Sequence, residues 1–140
     1  MEDVRLTPIG RVHSALTERG QAPHQGPPAG VTAVIELDPA HAQGLTGCRP
    51  GDWLWVLYYF DRADAPCLLV HPRGDRSRPL TGVFRTRAPS RPCPVGLTLV
   101  QLTALTGVRL TVRGLEALDG TPVLDIKPYV PAIDSPREDA

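Results

Sequence analysis

A chain of 140 residues is long enough for one domain and too short for two. Its 41% hydrophobic content supplies a core, and its 16 prolines and 13 glycines fall between apolar runs, which reads as turns in a β-rich fold rather than low-complexity disorder. A formal net charge of zero excludes a global basic field for nucleic acid. Cys48, Cys67 and Cys93 form no C-x-x-C pair, which argues against a disulfide scaffold and a zinc site and fits reduced thiols in the cytoplasm; no metal is expected. The acidic start Met1-Glu2-Asp3-Val4 has no apolar h-region, and the longest apolar run, near Trp53 to Phe60, is far too short to span a bilayer, so no membrane partner is expected.

In chain order, Leu6 to His13 reads as a short first strand with Gly10 as a weak spot. Ser14 to Gly30 is rich in Pro and Gly and reads as a long ordered loop, of a length that in small domains often carries function. Val31 to Leu37 is a β-branched strand, and Pro39 to Gln43 makes one helical turn closed by Gly44. Trp53 to Phe60 is apolar throughout, which predicts a strand buried on both faces, or on one face with a partner chain on the other. Short strands follow at Leu68 to His71 and Leu80 to Arg85, then a longer one at Val95 to Ala104. Thr106-Gly107 turns the chain into the cleanly alternating Val108 to Arg113, and Pro122 to Lys127 is the last strand. No segment holds a helical period over three turns. The expected fold is all-β, a small antiparallel barrel with long loops and one or two short helical turns, spanning residues 1–131 ahead of a polar tail, 132–140.

Three stretches stand out chemically. Arg73, Arg76, Arg78, Arg85, Arg87 and Arg91 lie within nineteen residues, opposed there only by Asp75, while Lys127 is the single lysine of the chain. Guanidinium groups grip planar oxyanions through paired hydrogen bonds, so the cluster suits phosphates or carboxylates. The bland alternative is a solvated loop, about an even choice. Arg85 to Leu97 packs three prolines into six positions, which makes either a stiff platform for reactive groups or a structural turn. Leu118-Asp119-Gly120-Thr121 favours a turn with positive φ whose backbone groups are free to face a ligand. Asp125 and Lys127 share a face, for which a salt bridge is the simple reading. His13, His24, His41 and His71 are scattered, and Asp61 with Asp64 reads as an exposed acidic turn rather than a carboxylate pair. No catalytic triad, Walker loop or dinucleotide fingerprint is present.

Pro8-Ile9-Gly10-Arg11-Val12-His13-Ser14, Pro23-His24-Gln25, Leu54-Trp55-Val56-Leu57, Gly82 to Arg87 and Arg91 to Leu97, and the run Leu118 to Pro131 together resemble the TrmO, or TsaA-like, family. The resemblance covers nearly the whole chain. It implies an antiparallel barrel, S-adenosylmethionine as methyl donor, a homodimer, and methylation of N6 of threonylcarbamoyladenosine at tRNA position 37. Cofactor contacts implied by the resemblance fall on Pro23, His24, Gln25, Asp61, Arg62, Arg87, Val95, Ala117, Leu118, Asp119 and Gly120. Arg87 and Arg91 are expected to grip a carboxylate or phosphate of the acceptor, and Asp61 is the expected acid–base group.

The chain departs from the family pattern near the implied pocket. His24 stands where the family has Arg, Asp61 where it has His, and Cys93 where it has Asn, whose amide a thiol cannot replace. These changes describe a divergent short member. They keep other acceptors open: methyl or aminocarboxypropyl transfer to a small molecule or peptide, or a module that binds S-adenosylmethionine without catalysis.

Overall fold

The computed structural model describes residues 1–17 and 30–136. Among the described residues there are eight strands: β1 (Gly10–His13), β2 (Thr32–Leu37), β3 (Trp53–Tyr59), β4 (Leu69–Val70), β5 (Thr81–Gly82), β6 (Val95–Thr106), β7 (Arg109–Arg113) and β8 (Pro122–Pro128). Six of them close into an antiparallel barrel in the order β1-β2-β7-β6-β3-β8, and β4 and β5 form a separate two-stranded ribbon. The all-β reading is therefore correct, but the strand expected over Leu6 to His13 begins only at Gly10, and of Leu80 to Arg85 only Thr81–Gly82 is strand, with Val83–Arg85 a 3-10 turn. Asp38 accepts a hydrogen bond from the Ala40 backbone N–H and starts a 3-10 turn over Pro39–Leu45, two residues longer than expected. Gly107 takes φ 58° in the turn between β6 and β7.

Alternation along each barrel strand sends one set of side chains inward. Val12, Ile35, Val56, Val100, Leu102, Leu110, Val112 and Val123 are fully buried there. The Trp53 to Phe60 run does not bury both faces. Leu54, Val56 and Tyr58 point into the core, while Trp55 and Leu57 are half-buried and Trp53 and Tyr59 are exposed on the outside. The outward row continues across β6, because Trp53, Trp55, Leu57 and Tyr59 pair with Gln101, Leu99, Leu97 and Val95. Beyond β8, Pro131–Asp134 winds into a helical turn, α1, whose Asp134 carboxylate accepts from the Trp55 indole at 3.0 Å and from the Val130 N–H at 2.8 Å.

Two glycines are set by close approach. A Cβ on Gly10 would lie 2.3 Å from the Glu36 carbonyl oxygen on β2, which explains the gap in the apolar pattern of β1. A Cβ on Gly96 would lie 2.5 Å from the Tyr58 ring, which packs edge-on against Phe60 at 5.3 Å and shares a 2.9 Å hydrogen bond with the Thr98 hydroxyl. Gly96→Ala is expected to displace the Tyr58 ring and cost about 1–3 kcal/mol, read as a lower midpoint in chemical unfolding with an unchanged slope.

Candidate functional site

One end of the barrel gathers segments that are distant in the sequence. Residues 114–121 leave β7 and return to β8, with Leu115 and Ala117 buried in the core. Leu118 to Thr121 then makes a turn: the Thr121 N–H and hydroxyl both donate to the Leu118 carbonyl, and Gly120 sits at φ 84°. The exit of β1 clamps this turn. The Asp119 N–H donates to the Leu16 carbonyl at 2.7 Å, the Gly120 N–H to the Val12 carbonyl at 2.7 Å, and the Ser14 N–H to Asp119 Oδ1 at 3.0 Å. From the end of β3, Arg62 donates to the Asp119 carbonyl at 2.7 Å and to the Thr121 hydroxyl at 3.3 Å, while its Nε lies 3.4 Å from Asp61.

Asp61, Arg62, Leu118, Asp119 and Gly120 are thus brought to one place. The expectation about the turn's backbone changes, however. The N–H groups of Asp119, Gly120 and Thr121 are donated within the chain, so they hold the turn in shape and do not face outward as ligand donors. Ala117 contributes core packing through its side chain. Val95 opens β6 opposite Tyr59 on the outer row. Pro23, His24 and Gln25 lie outside the described residues.

The arginine cluster forms a second feature. Arg73, Arg76, Arg78, Arg85 and Arg87 line an open cleft of about 1150 Å³ together with the exposed Phe84 ring. Arg73 is held in the left-handed region at φ 56° and ψ 23°, which is uncommon for a residue with a Cβ. His71 donates through Nδ1 to the Arg78 carbonyl at 2.8 Å, a structural role. Asp75 tempers the positive charge; hydrogen bonds from the Ser77 side chain and backbone hold its carboxyl below the usual range. Arg91 differs from its neighbours, since its Nη1 donates to the carbonyls of Thr86 and Ala88 at 2.9 and 3.1 Å and so braces the Pro-rich loop. Cys93 is exposed beside it. Elsewhere, Lys127 pairs with Asp125 at 2.9 Å and His13 with Glu36 at 3.2 Å, both on the surface.

Sequence reasoning missed Glu116. It is 9% exposed, and both carboxyl oxygens are buried without a hydrogen-bond partner among the described residues. Burial pushes its pKa up to about 7. Its charge acts on the Tyr58 phenol, whose pKa is raised first by burial; Arg87 pulls that phenol the other way. The signal available was a single acidic residue between the apolar Leu115 and Ala117, a pattern that an ordinary loop shares.

Because the folded chain prefers Glu116 protonated, its contribution is complete below the unfolded value of 4.5 and is lost as pH rises through about 7. The parent chain is expected to lose up to about 3 kcal/mol across that window relative to Glu116→Gln, read from paired denaturation curves at several pH values.

Comparisons place this geometry among known proteins. The model of the tRNA-methyltransferase O N-terminal domain matches residues 11–135. A probable S-adenosyl-L-methionine-binding protein of Methanothermobacter thermautotrophicus is 44% identical, over 95% of this chain and 95% of that one. A putative S-adenosylmethionine-dependent methyltransferase, RcsF, of Pseudomonas aeruginosa is 41% identical over 93% of this chain and 58% of its own length. The crystal structure of TrmO from Pseudomonas aeruginosa superposes with a TM-score of 0.81 at 34% identity, and the chain spans 98% of its own length and 60% of that structure.

Proposed function

Because the chain belongs to the family of the tRNA-methyltransferase O N-terminal domain, we propose that it transfers the methyl group of S-adenosylmethionine to N6 of threonylcarbamoyladenosine at tRNA position 37. The coarser part of this reading, a methyltransferase that uses S-adenosylmethionine, follows from the family and from the names its relatives carry. The observation that carries the site is the turn at Leu118 to Thr121, fixed by β1 and Arg62 beside a buried carboxyl. That carboxyl suits a cationic cofactor, and it is the buried acid whose oxygens the described residues leave without donors.

When bound, the sulfonium supplies an already electrophilic methyl carbon. The chain's own task is positioning, with the acceptor nitrogen held about 3 Å from that carbon and in line with the bond to sulfur. Arg62 keeps the 118–121 turn in place, and Asp61 at 3.4 Å from Arg62 is the proposed group for moving the acceptor proton. The arginine cleft is the proposed seat of the acceptor. Its guanidinium groups match both the tRNA phosphates and the carboxylate of the threonylcarbamoyl group. Arg87 lines this cleft and also acts on Tyr58, which supports its role as the proposed link between acceptor and cofactor. Arg91 supports the loop that presents Arg87.

The apolar outer row on β3 and β6 supports a homodimer, and a zero net charge with reduced cysteines supports a cytoplasmic setting. A second reading rests on the exposed Cys93 in place of the family Asn: a small-molecule acceptor, aminocarboxypropyl transfer, or cofactor binding without catalysis.

Incubation with methyl-labelled donor and tRNA carrying threonylcarbamoyladenosine is expected to place label in that nucleoside. Label that appears only in a metabolite extract selects the small-molecule reading, and label that never leaves the donor removes the catalytic one. Arg87→Ala is expected to slow transfer roughly tenfold or more with an unchanged unfolding midpoint. Light scattering at micromolar concentration is expected to give twice the mass of one chain, and Tyr59→Lys with Leu97→Lys to give one.

A further inference from the structure

A buried carboxylate without donors is costly, and removing one of its partners in a protein typically costs several kcal/mol. Glu116 meets that description in the folded chain: nine-tenths buried, with two oxygens that no described N–H or O–H reaches. The neighbouring backbone offers no relief, because the N–H groups of Asp119, Gly120 and Thr121 are already donated to Leu16, Val12 and Leu118. The groups that face it electrostatically are Tyr58 from β3 and, through Tyr58, Arg87 from the loop before β6. Around neutral pH Tyr58 does not change its charge, since burial holds it above the ordinary phenol range.

Hydrogen-bond donors would satisfy such a group, and so would a positive charge that brings none. A sulfonium has this chemistry: it carries a full charge and no N–H or O–H. Resting on the cofactor reading above, we infer that Glu116 is the counter-charge for the sulfonium of S-adenosylmethionine, and that it makes the site discriminate the charged donor from the uncharged thioether left after transfer. Below about pH 7 the carboxyl of the empty site is protonated and neutral; it releases its proton to solvent when the cation binds, and takes one back from solvent once methyl transfer has removed the charge. Product release is thereby favoured by the same residue that holds the donor.

The test is titration calorimetry of the full chain with S-adenosylmethionine and, separately, with S-adenosylhomocysteine, which keeps the amino acid and adenosine and lacks only the charged methyl. Parent and Glu116→Gln are compared near pH 6 and near pH 8, in two buffers of different ionisation heat. The parent is expected to bind the charged ligand about tenfold tighter than the thioether near pH 8 and to release more protons with it near pH 6. Glu116→Gln is expected to abolish that preference by weakening the sulfonium alone, with thioether affinity unchanged within about twofold. A preference that survives in Glu116→Gln, or an equal loss for both ligands, overturns the inference. So does equal proton release by the parent with both ligands, a result that needs no variant. A parent chain that binds neither ligand overturns the cofactor reading itself, an outcome distinct from these.

Discussion

The clamp on the 118–121 turn is the constraint from which the rest of the site follows. Three strands of the barrel end converge on it: β1 through Val12, Ser14 and Leu16, β3 through Arg62, and β8 through the chain that continues from Thr121. Its two backbone bonds to Leu16 and Val12 are both 2.7 Å, and bonds through the Asp119 and Arg62 side chains add to them, so moving the turn means opening the barrel rim. A segment fixed in this way can hold Glu116 in an apolar setting, where a freer loop would swing the carboxyl into water.

Negative and positive features are kept apart and yet coupled. The buried acid stands on the segment that follows β7, while the arginines line an open cleft beside the β4–β5 ribbon. Tyr58 links them, since its phenol feels both Glu116 and Arg87. On the proposed function the cofactor would meet the buried acid and the acceptor would meet the arginine cleft, which suits a reaction that joins a cationic donor to an anionic acceptor.

Much of the barrel was legible because strand alternation and Gly or Pro punctuation follow directly from the backbone; β2, β7 and β8 fall almost where the pattern placed them. The β3 run misled, because seven consecutive apolar residues hide which face is inner, and only the pairing with β6 and β8 shows Trp55 outside and Tyr58 inside. In the site, Asp61, Arg62 and Asp119 were reachable through resemblance, but the sequence could not show that the N–H groups of Asp119 and Gly120 are spent on the carbonyls of Leu16 and Val12, far away along the chain. Arg91 was grouped with the other arginines, yet its two carbonyl partners make it a brace. Glu116 was invisible for a related reason: its meaning lies in hydrogen-bond partners that the described residues do not provide.

The hydrogen bond between Tyr58 and Thr98 carries a consequence for how this interior can change. The two hydroxyls share a 2.9 Å hydrogen bond inside the barrel, and Gly96 leaves the space the ring occupies. Replacing one member alone strands a polar atom or fills a space already taken, whereas Phe at one place and Val at the other would keep shape and remove both needs at once. Drift within this corner of the barrel should therefore proceed by exchanged sets rather than single steps, and relatives that have lost the tyrosine are expected to have altered the threonine and the glycine as well.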